Sequence, residues 1–414
     1  MKIPRINVSL IDQAIVSATN FVMGILLVRF MGIAEFGTFT LAWMVVLFTN
    51  SLQYALIISP LMTLFPAQKA LERESYFSVI FLHQFIFSFA SFILIYSGID
   101  VFATFTGASV LRDASLPLSL SAVASQLQDF SRRYYFANQT GLLALRSDLY
   151  RYTGQLVFFF IATRYTTVDT NVVLWIIFIS SSLSFLLSSP PFRPARFCKS
   201  RFSHVTKSHW RFAKWLTGSA LLQWITGNYF LLVSATVLDA SAVGILKACQ
   251  NIMAPIRTLI EGLENHVPVL AASNYALSGL ASVKSLITRV TIKYGIVVFL
   301  LTFTFIIAPR FWLKIFYGDD LSQYAYLVYW FGFINLLFYI SYPFQVILRT
   351  LNTTRPIFLA NISMAIFSVC SAYYLVSVFR ETGAALGIAF TRAIMVAILL
   401  YSTTYTFKRY VIPK

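Results

Sequence analysis

The sequence predicts an all-α, polytopic membrane protein of about 12 transmembrane helices, and three observations lead there. The first is composition: of 414 residues, 58% are hydrophobic and only 11% are charged, whereas a soluble chain is roughly 45–50% apolar and about 25% charged. With a mean hydropathy of +0.74, no soluble domain of this length can hide its apolar surface. The second is run length, because the apolar stretches are about twice the roughly 9–11 residues of a membrane β-strand and do not alternate. The third is punctuation. Turn chemistry separates the runs at Gly98-Ile99-Asp100, Gly141, Pro190-Pro191, Gly318-Asp319-Asp320, Arg355-Pro356 and Gly383.

The runs place helices near 10–30, 37–59, 76–97, 114–136, 145–163 and 171–189, then near 212–234, 242–270, 290–309, 325–347, 357–379 and 384–406. The fourth and eighth carry the most polar residues. At roughly 20 residues per helix, twelve helices use about 240 residues and leave no room for a soluble domain of ordinary size. The basic start MKIPR lacks a small-residue cleavage pattern and is interrupted at Asp12, so it reads as the first retained helix. Cys198, Cys249 and Cys370 lie far apart, without metal-ligand spacing, and read as small free hydrophobes. Trp43, Tyr76, Trp175, Trp210, Trp312 and Tyr410, near the ends of the runs, read as interfacial anchors.

Basic residues orient the chain. Of the 32 Lys and Arg, twenty-three fall in the termini, the even-to-odd connections and the long loop after the sixth span. That loop carries Arg193, Arg196, Lys199, Arg201, Lys207, Arg211 and Lys214 with no acid. At most seven fall on the other side: Arg29, Arg112, Arg164, Lys247, Arg310, Lys314 and Arg380. Only Arg257 and Arg392 remain inside spans. The positive-inside rule then puts both termini in the cytoplasm. It also accounts for the net charge of +17 without a nucleic-acid partner. Contact with anionic membrane lipid is the next role such a loop suggests.

The basic loop divides the chain into six spans and six spans, expected as lobes 1–200 and 201–414. A shift of half the chain length superposes Gly37 on Gly244 and Ala42 on Cys249, and one further residue brings Pro60 to Pro268. An even number of spans per half gives both halves the same orientation, as in a two-lobed transporter with a central cavity.

Ionisable groups inside spans are costly and face protein or water. In the first span Asp12, Gln13, Ser17, Thr19, Asn20 and Gly24 share one side at 100° per residue, with Arg29 at the outer end. In the eighth, Lys247, Gln250, Arg257, Glu261, Glu264 and Asn265 fall on one face, with Pro255 and Pro268 as bending points. This stripe is expected to line a hydrated cavity. There Arg257, Lys247, Gln250, Asn20, Arg29 and Arg392 would receive an anionic head group, since arginine's forked donors suit phosphate. Glu261, Glu264 and Asp12 are candidates for taking up a coupling H+ or Na+. Asp129 with Arg133 and Asp148 with Arg151 are spaced for structural ion pairs, formed along their own helices or across the fourth and fifth spans. Asn335, Tyr342 and Arg349 share a face of the tenth span at heptad spacing. His83 in the third span reads as packing, and His204 and His209 receive no role.

Three segments carry a family resemblance: SLIDQAIVSATNFVMGILLVRFMGIAEFGTF from Ser9 to Phe39, NSLQYALIISPLM from Asn50 to Met62, and QLQDFSRRYYFA from Gln126 to Ala137 followed by LRSDLYRY. They resemble the first, second, fourth and fifth helices of polysaccharide-biosynthesis flippases, in the multidrug/oligosaccharidyl-lipid/polysaccharide exporter superfamily. The likeness covers the first 165 residues, and the second half mainly in layout. It implies two six-helix lobes around a cationic central cavity. It further implies that a polyprenyl-diphosphate-linked sugar is moved across the bacterial inner membrane by alternating access, beside polysaccharide polymerase and chain-length proteins. The acids of the eighth span fit an anion path less well and point to an alternative, a small-molecule or drug exporter of the same superfamily. A membrane-embedded polysaccharide polymerase or acyltransferase would need sizeable outer loops, which are short here, so no enzyme activity is expected. No GxxxxGK[ST] loop occurs, so ion gradients or substrate flow would supply the energy and no cofactor is expected.

Overall fold

The computed structural model describes residues 5–66, 68, 70–190 and 199–411, and leaves the side chains of 5–7, 9–10, 70–71, 199–200, 265–266, 269 and 408–411 undescribed. The expected basic residues Lys2, Lys69, Arg193, Arg196 and Lys414, together with Cys198, lie outside the described residues. Among the described residues there are helices and no strands. In order they are α1 (Arg5–Met31), α2 (Ile33–Gln53), a π-helical turn (Tyr54–Ile58), α3 (Ser59–Leu64), α4 (Ala70–Thr106), α5 (Ser115–Ala137), α6 (Gly141–Tyr165) and α7 (Thr170–Ser188). Then follow α8 (Lys199–Val237), α9 (Ala240–Ile252), α10 (Ala254–Ile307), α11 (Pro309–Tyr317), α12 (Ala325–Thr350) and α13 (Arg355–Val411).

Among the described residues, eight helices are long and apolar enough to cross a membrane. One of them, Arg355–Phe407, is broken at Arg380 (φ 53°) and makes two passages. The more polar passages are α5, α6, and α9 with the first part of α10, which ends at a second break at Gly279 (φ 70°). Together they give the twelve passages expected. Two boundaries differ from expectation. The turn at Gly98-Ile99-Asp100 does not form, because α4 runs on to Thr106 and Ile99 is buried. The last break falls on Arg380 rather than Gly383. Gly383 serves another purpose, since a Cβ there would run into the Leu375 carbonyl oxygen where the chain re-enters helix.

The chain forms two compact units, Met1–Trp224 and Ile225–Lys414, with the division inside α8. The boundary falls later than 200/201 because the start of α8 is fastened to unit 1. The Tyr76 hydroxyl lies 2.6 Å from His209 Nε2, and Phe48 meets Trp224 edge-on. In unit 1, α5 packs on α4, α6 and α7, and α1 packs on α6. A core of Ile58, Leu61, Phe65, Phe77, Ile80 and Phe130 sits at one end. Gln53 Nε2 donates to Gln84 Oε1 at 2.9 Å and to the Gln126 carbonyl at 2.8 Å, tying α2 to α4 and α5. In unit 2, α12 packs on α10 and α13 around Leu348, Met364, Met395 and Leu399.

Each unit interrupts its second passage. In unit 1, Pro60 lacks the N–H that would bond back to Leu56, and the helix widens into the π turn just before it. In unit 2 the interruption is a full break at Met253 (φ −83°, ψ 4°), with Pro255 in the first turn of the new helix, where a missing N–H costs nothing.

Candidate functional site

In unit 2 the stripe of the eighth passage is carried by two helices. Lys247 and Gln250 lie on α9, where Lys247 Nζ donates to Gln250 Oε1 at 3.1 Å. Arg257, Glu261 and Glu264 lie on α10, beyond the break at Met253. The face expected of one continuous helix is therefore interrupted, yet Lys247 remains within electrostatic reach of Arg257. The side chain of Asn265 lies outside the described residues.

Neighbouring helices complete the cluster. Arg392, on the second half of α13, is within electrostatic reach of Arg257 and Glu264, and its guanidinium lies 5.1 Å from the centre of the Phe338 ring on α12. Glu264 is also within electrostatic reach of Arg349, at the end of α12, and of Glu261 and Arg257. The Tyr342 hydroxyl fixes this meeting of helices by donating to the carbonyl of Leu263, next to Glu264, at 2.8 Å. Arg349 itself donates weakly to Gln345 at 3.4 Å.

Arg257, Arg349 and Arg392 thus converge on Glu264, with Glu261 also in its reach and Lys247 in reach of Arg257, so that four cations stand against two acids. Arg257 and Arg349 are exposed, and the other four are half-buried. Among the described residues no ion pair joins either glutamate to any of the four cations. Apart from the long Arg349–Gln345 contact, these guanidinium donors make no hydrogen bond among the described residues, and open arginine forks suit a multiply charged anion with planar or tetrahedral oxygens. The two cations left inside spans by the loop count, Arg257 and Arg392, are brought together. Arg349, counted among the cytoplasmic loop residues, is the member the sequence reading did not assign to the site. Its heptad spacing from Tyr342 was the available signal.

The remaining candidates are in unit 1 and belong to a different arrangement. Asp12 is fully buried, and its Oδ2 accepts from Arg132 Nη2 at 2.6 Å. Arg132 Nε donates to Asp148 Oδ2 at 2.5 Å, and its Nη1 lies 3.8 Å from Asp129. Gln128 Nε2 donates to Asp148 Oδ1 at 2.9 Å, while Gln128 Oε1 accepts from Arg151 Nη1 at 2.6 Å. The expected Asp148–Arg151 pair is therefore replaced by Asp148–Arg132. Packing of α5 on α6 places Gln128 against Arg151 and the guanidinium of Arg132 against Asp148. The Asp129–Arg133 pair forms along α5 at 3.3 Å. Asn20 and Arg29 are exposed on α1, with Arg29 in the helix's last turn, where a cation suits the dipole.

A family model described as polysaccharide biosynthesis protein matches residues 26–326, reaching well into unit 2. No curated protein matches the chain. Among solved structures, an inward-facing multidrug resistance MATE family transporter of the MOP superfamily superposes with a TM-score of 0.75 at 12% identity, covering 96% of each chain. Lipid II flippase MurJ, in an inward closed conformation, gives 0.72 at 14% identity over 96% of this chain and 86% of that one. A MOP superfamily transporter from Pyrococcus furiosus gives 0.64 at 11% identity, over 99% and 96%. At such identities the likeness is one of fold, and the fold is that of MOP-superfamily transporters and flippases.

Proposed function

This chain belongs to the polysaccharide biosynthesis protein family, and from that premise we propose that it is a flippase for a polyprenyl-diphosphate-linked oligosaccharide. It would move the unit across the bacterial inner membrane by alternating access, with both termini cytoplasmic, in the synthesis of surface polysaccharide. The observation that carries the reading is the open cationic cluster of Lys247, Arg257, Arg349 and Arg392. Four cations against two carboxylates favour a diphosphate over an organic cation, because an isolated cation brought among them meets net repulsion. In this reading the arginines hold the diphosphate oxygens by paired donors while the prenyl tail stays in lipid. Glu261 and Glu264 keep the cations apart when no substrate is present and are the groups best placed to take up a coupling H+ or Na+. Asp12 was a third candidate for coupling. Its salt bridge to Arg132 gives it a structural duty first.

The test is transbilayer movement of a labelled polyprenyl-diphosphate oligosaccharide in proteoliposomes, comparing the intact protein with Arg257→Ala. Protein-dependent movement that the variant loses is the expected result. Movement that Arg257→Ala leaves unchanged would remove the cluster from the path. Efflux of an organic cation, with no movement of any lipid-linked sugar, would replace the flippase with a drug-type exporter. The two glutamates are the one observation on that side.

A further inference from the structure

The start of α8 offers a surface that the transport reading does not use. The helix is 39 residues long, whereas a bilayer takes roughly 20. No charged residue occurs from Leu216 to Val237, so that stretch crosses the hydrocarbon and 199–215 extends beyond it. One face of the extension is held on unit 1. His209 meets the Tyr76 hydroxyl, Thr206 Oγ1 lies 2.9 Å from His83 Nε2, and Arg201 Nη2 donates to the Glu72 carbonyl at 2.9 Å. Val205 is buried in the core with Phe65, Phe77 and Phe130.

The opposite face is left open. At 100° per residue, Lys207, Arg211 and Lys214 fall within about 60° of one another, pointing away from Val205 and His209. Trp210 and Trp215 flank them on either side, 59% and 72% exposed. All three cations are exposed. Among the described residues none has an acidic partner, and the sequence from Arg193 to Lys214 contains no acid. A merely solvated charge run gives no reason for two exposed indoles. A protein-binding surface would be depleted in lysine at its core. Cations bracketed by tryptophan, on a helix that continues directly into a membrane span, match the head-group layer.

We propose that this face is a binding site for anionic phospholipid head groups, with Lys207, Arg211 and Lys214 on the phosphates and Trp210 and Trp215 seated at the boundary with the acyl chains. Because the extension is fastened to α4, the site is preformed. A basic residue near an anionic surface gives about a fivefold preference. Removing three should lower selectivity for anionic over zwitterionic lipid by one to two orders of magnitude.

Tryptophan quenching tests this on the full-length protein in vesicles containing either brominated phosphatidylglycerol or brominated phosphatidylcholine. The Trp210→Phe/Trp215→Phe double variant isolates the signal of the two indoles. The expected result is stronger quenching of that signal by the anionic lipid, with the excess lost in Lys207→Gln/Arg211→Gln/Lys214→Gln. Equal quenching by the two lipids would overturn the proposal, as would an excess that survives the triple variant. A shift of the same two indoles by a polyglutamate peptide, with no lipid preference, would overturn it in favour of an acidic protein partner. The readout involves no transport, so its failure leaves the flippase reading where it stands.

Discussion

Two clusters of charged side chains sit inside helical units of similar size, and they solve opposite problems. In unit 1 the buried carboxylates are paired: Arg132 joins Asp12 on α1 to Asp148 on α6, and both carboxylates are shut off from the surface. In unit 2 the cations outnumber the acids, two of them are exposed, and no ion pair forms between the two sets among the described residues. A closed network spends its electrostatic attraction on holding helices together. An open one leaves that attraction for a ligand. Charge inside a membrane fold therefore does not by itself mark a binding site, and what marks it is charge left unsatisfied by its own protein.

The sharpest way to break the comparison is to remove Arg132. Arg132→Met leaves Asp12 and Asp148 buried with no cation between them, and breaking a buried pair from one side costs roughly 3–5 kcal/mol. Thermal unfolding of the purified variant in detergent should show a larger loss of stability than Arg257→Ala, Gly387→Leu or Arg133→Gln. Arg257→Ala should behave in the opposite way. Its melting temperature should stay near that of the parent, while affinity for inorganic pyrophosphate, used as a head-group probe, falls by about tenfold to a hundredfold, the loss of one charge-assisted contact. Equal loss of stability in both variants would erase the distinction between the units.

The contrast was only partly legible in the sequence. Run lengths and turn residues located the passages, because a bilayer imposes a helix length that composition cannot disguise. Arg257 and Arg392 stood out as the cations that no loop could claim. Arg349 did not, because its place beside Glu264 depends on α12 docking on α10 through Tyr342 and Leu263. Arg132 was hidden for a related reason. Spacing rules offer it partners one turn away on its own helix, whereas its real partners are 120 and 16 residues distant. Helix position is written locally, but which faces meet is decided by packing over the whole unit.

A smaller effect sharpens the open side. Gly387, five residues before Arg392 on α13, has no room for a Cβ against the Phe230 ring of α8. Gly387→Leu should overpack this contact at a cost of about 1–3 kcal/mol. It should also displace the helix that carries Arg392, lowering both the melting temperature and pyrophosphate affinity. Adding Phe230→Ala frees the space and should restore part of each. Recovery of stability without recovery of affinity would mean that Arg392 acts independently of the seating of α13.

The smallest effect is expected from the pair that the sequence located correctly. Asp129 and Arg133 lie one turn apart on α5 at 3.3 Å, and both side chains are about 30% exposed, at 29% and 31%. Exposed pairs of this kind contribute about 0.2–1 kcal/mol, and salt screens part of it. Arg133→Gln should therefore lower the melting temperature slightly at low ionic strength and hardly at all in molar salt. Arg132→Met should stay destabilised at every salt concentration, because its partners are out of reach of counterions. The two arginines are adjacent in sequence and share Asp129 as a neighbour, so the comparison holds helix and charge type constant while burial and the two further carboxylates of Arg132 set them apart. If Arg133→Gln proved as damaging as Arg132→Met, burial would not be what separates the closed network from its surroundings.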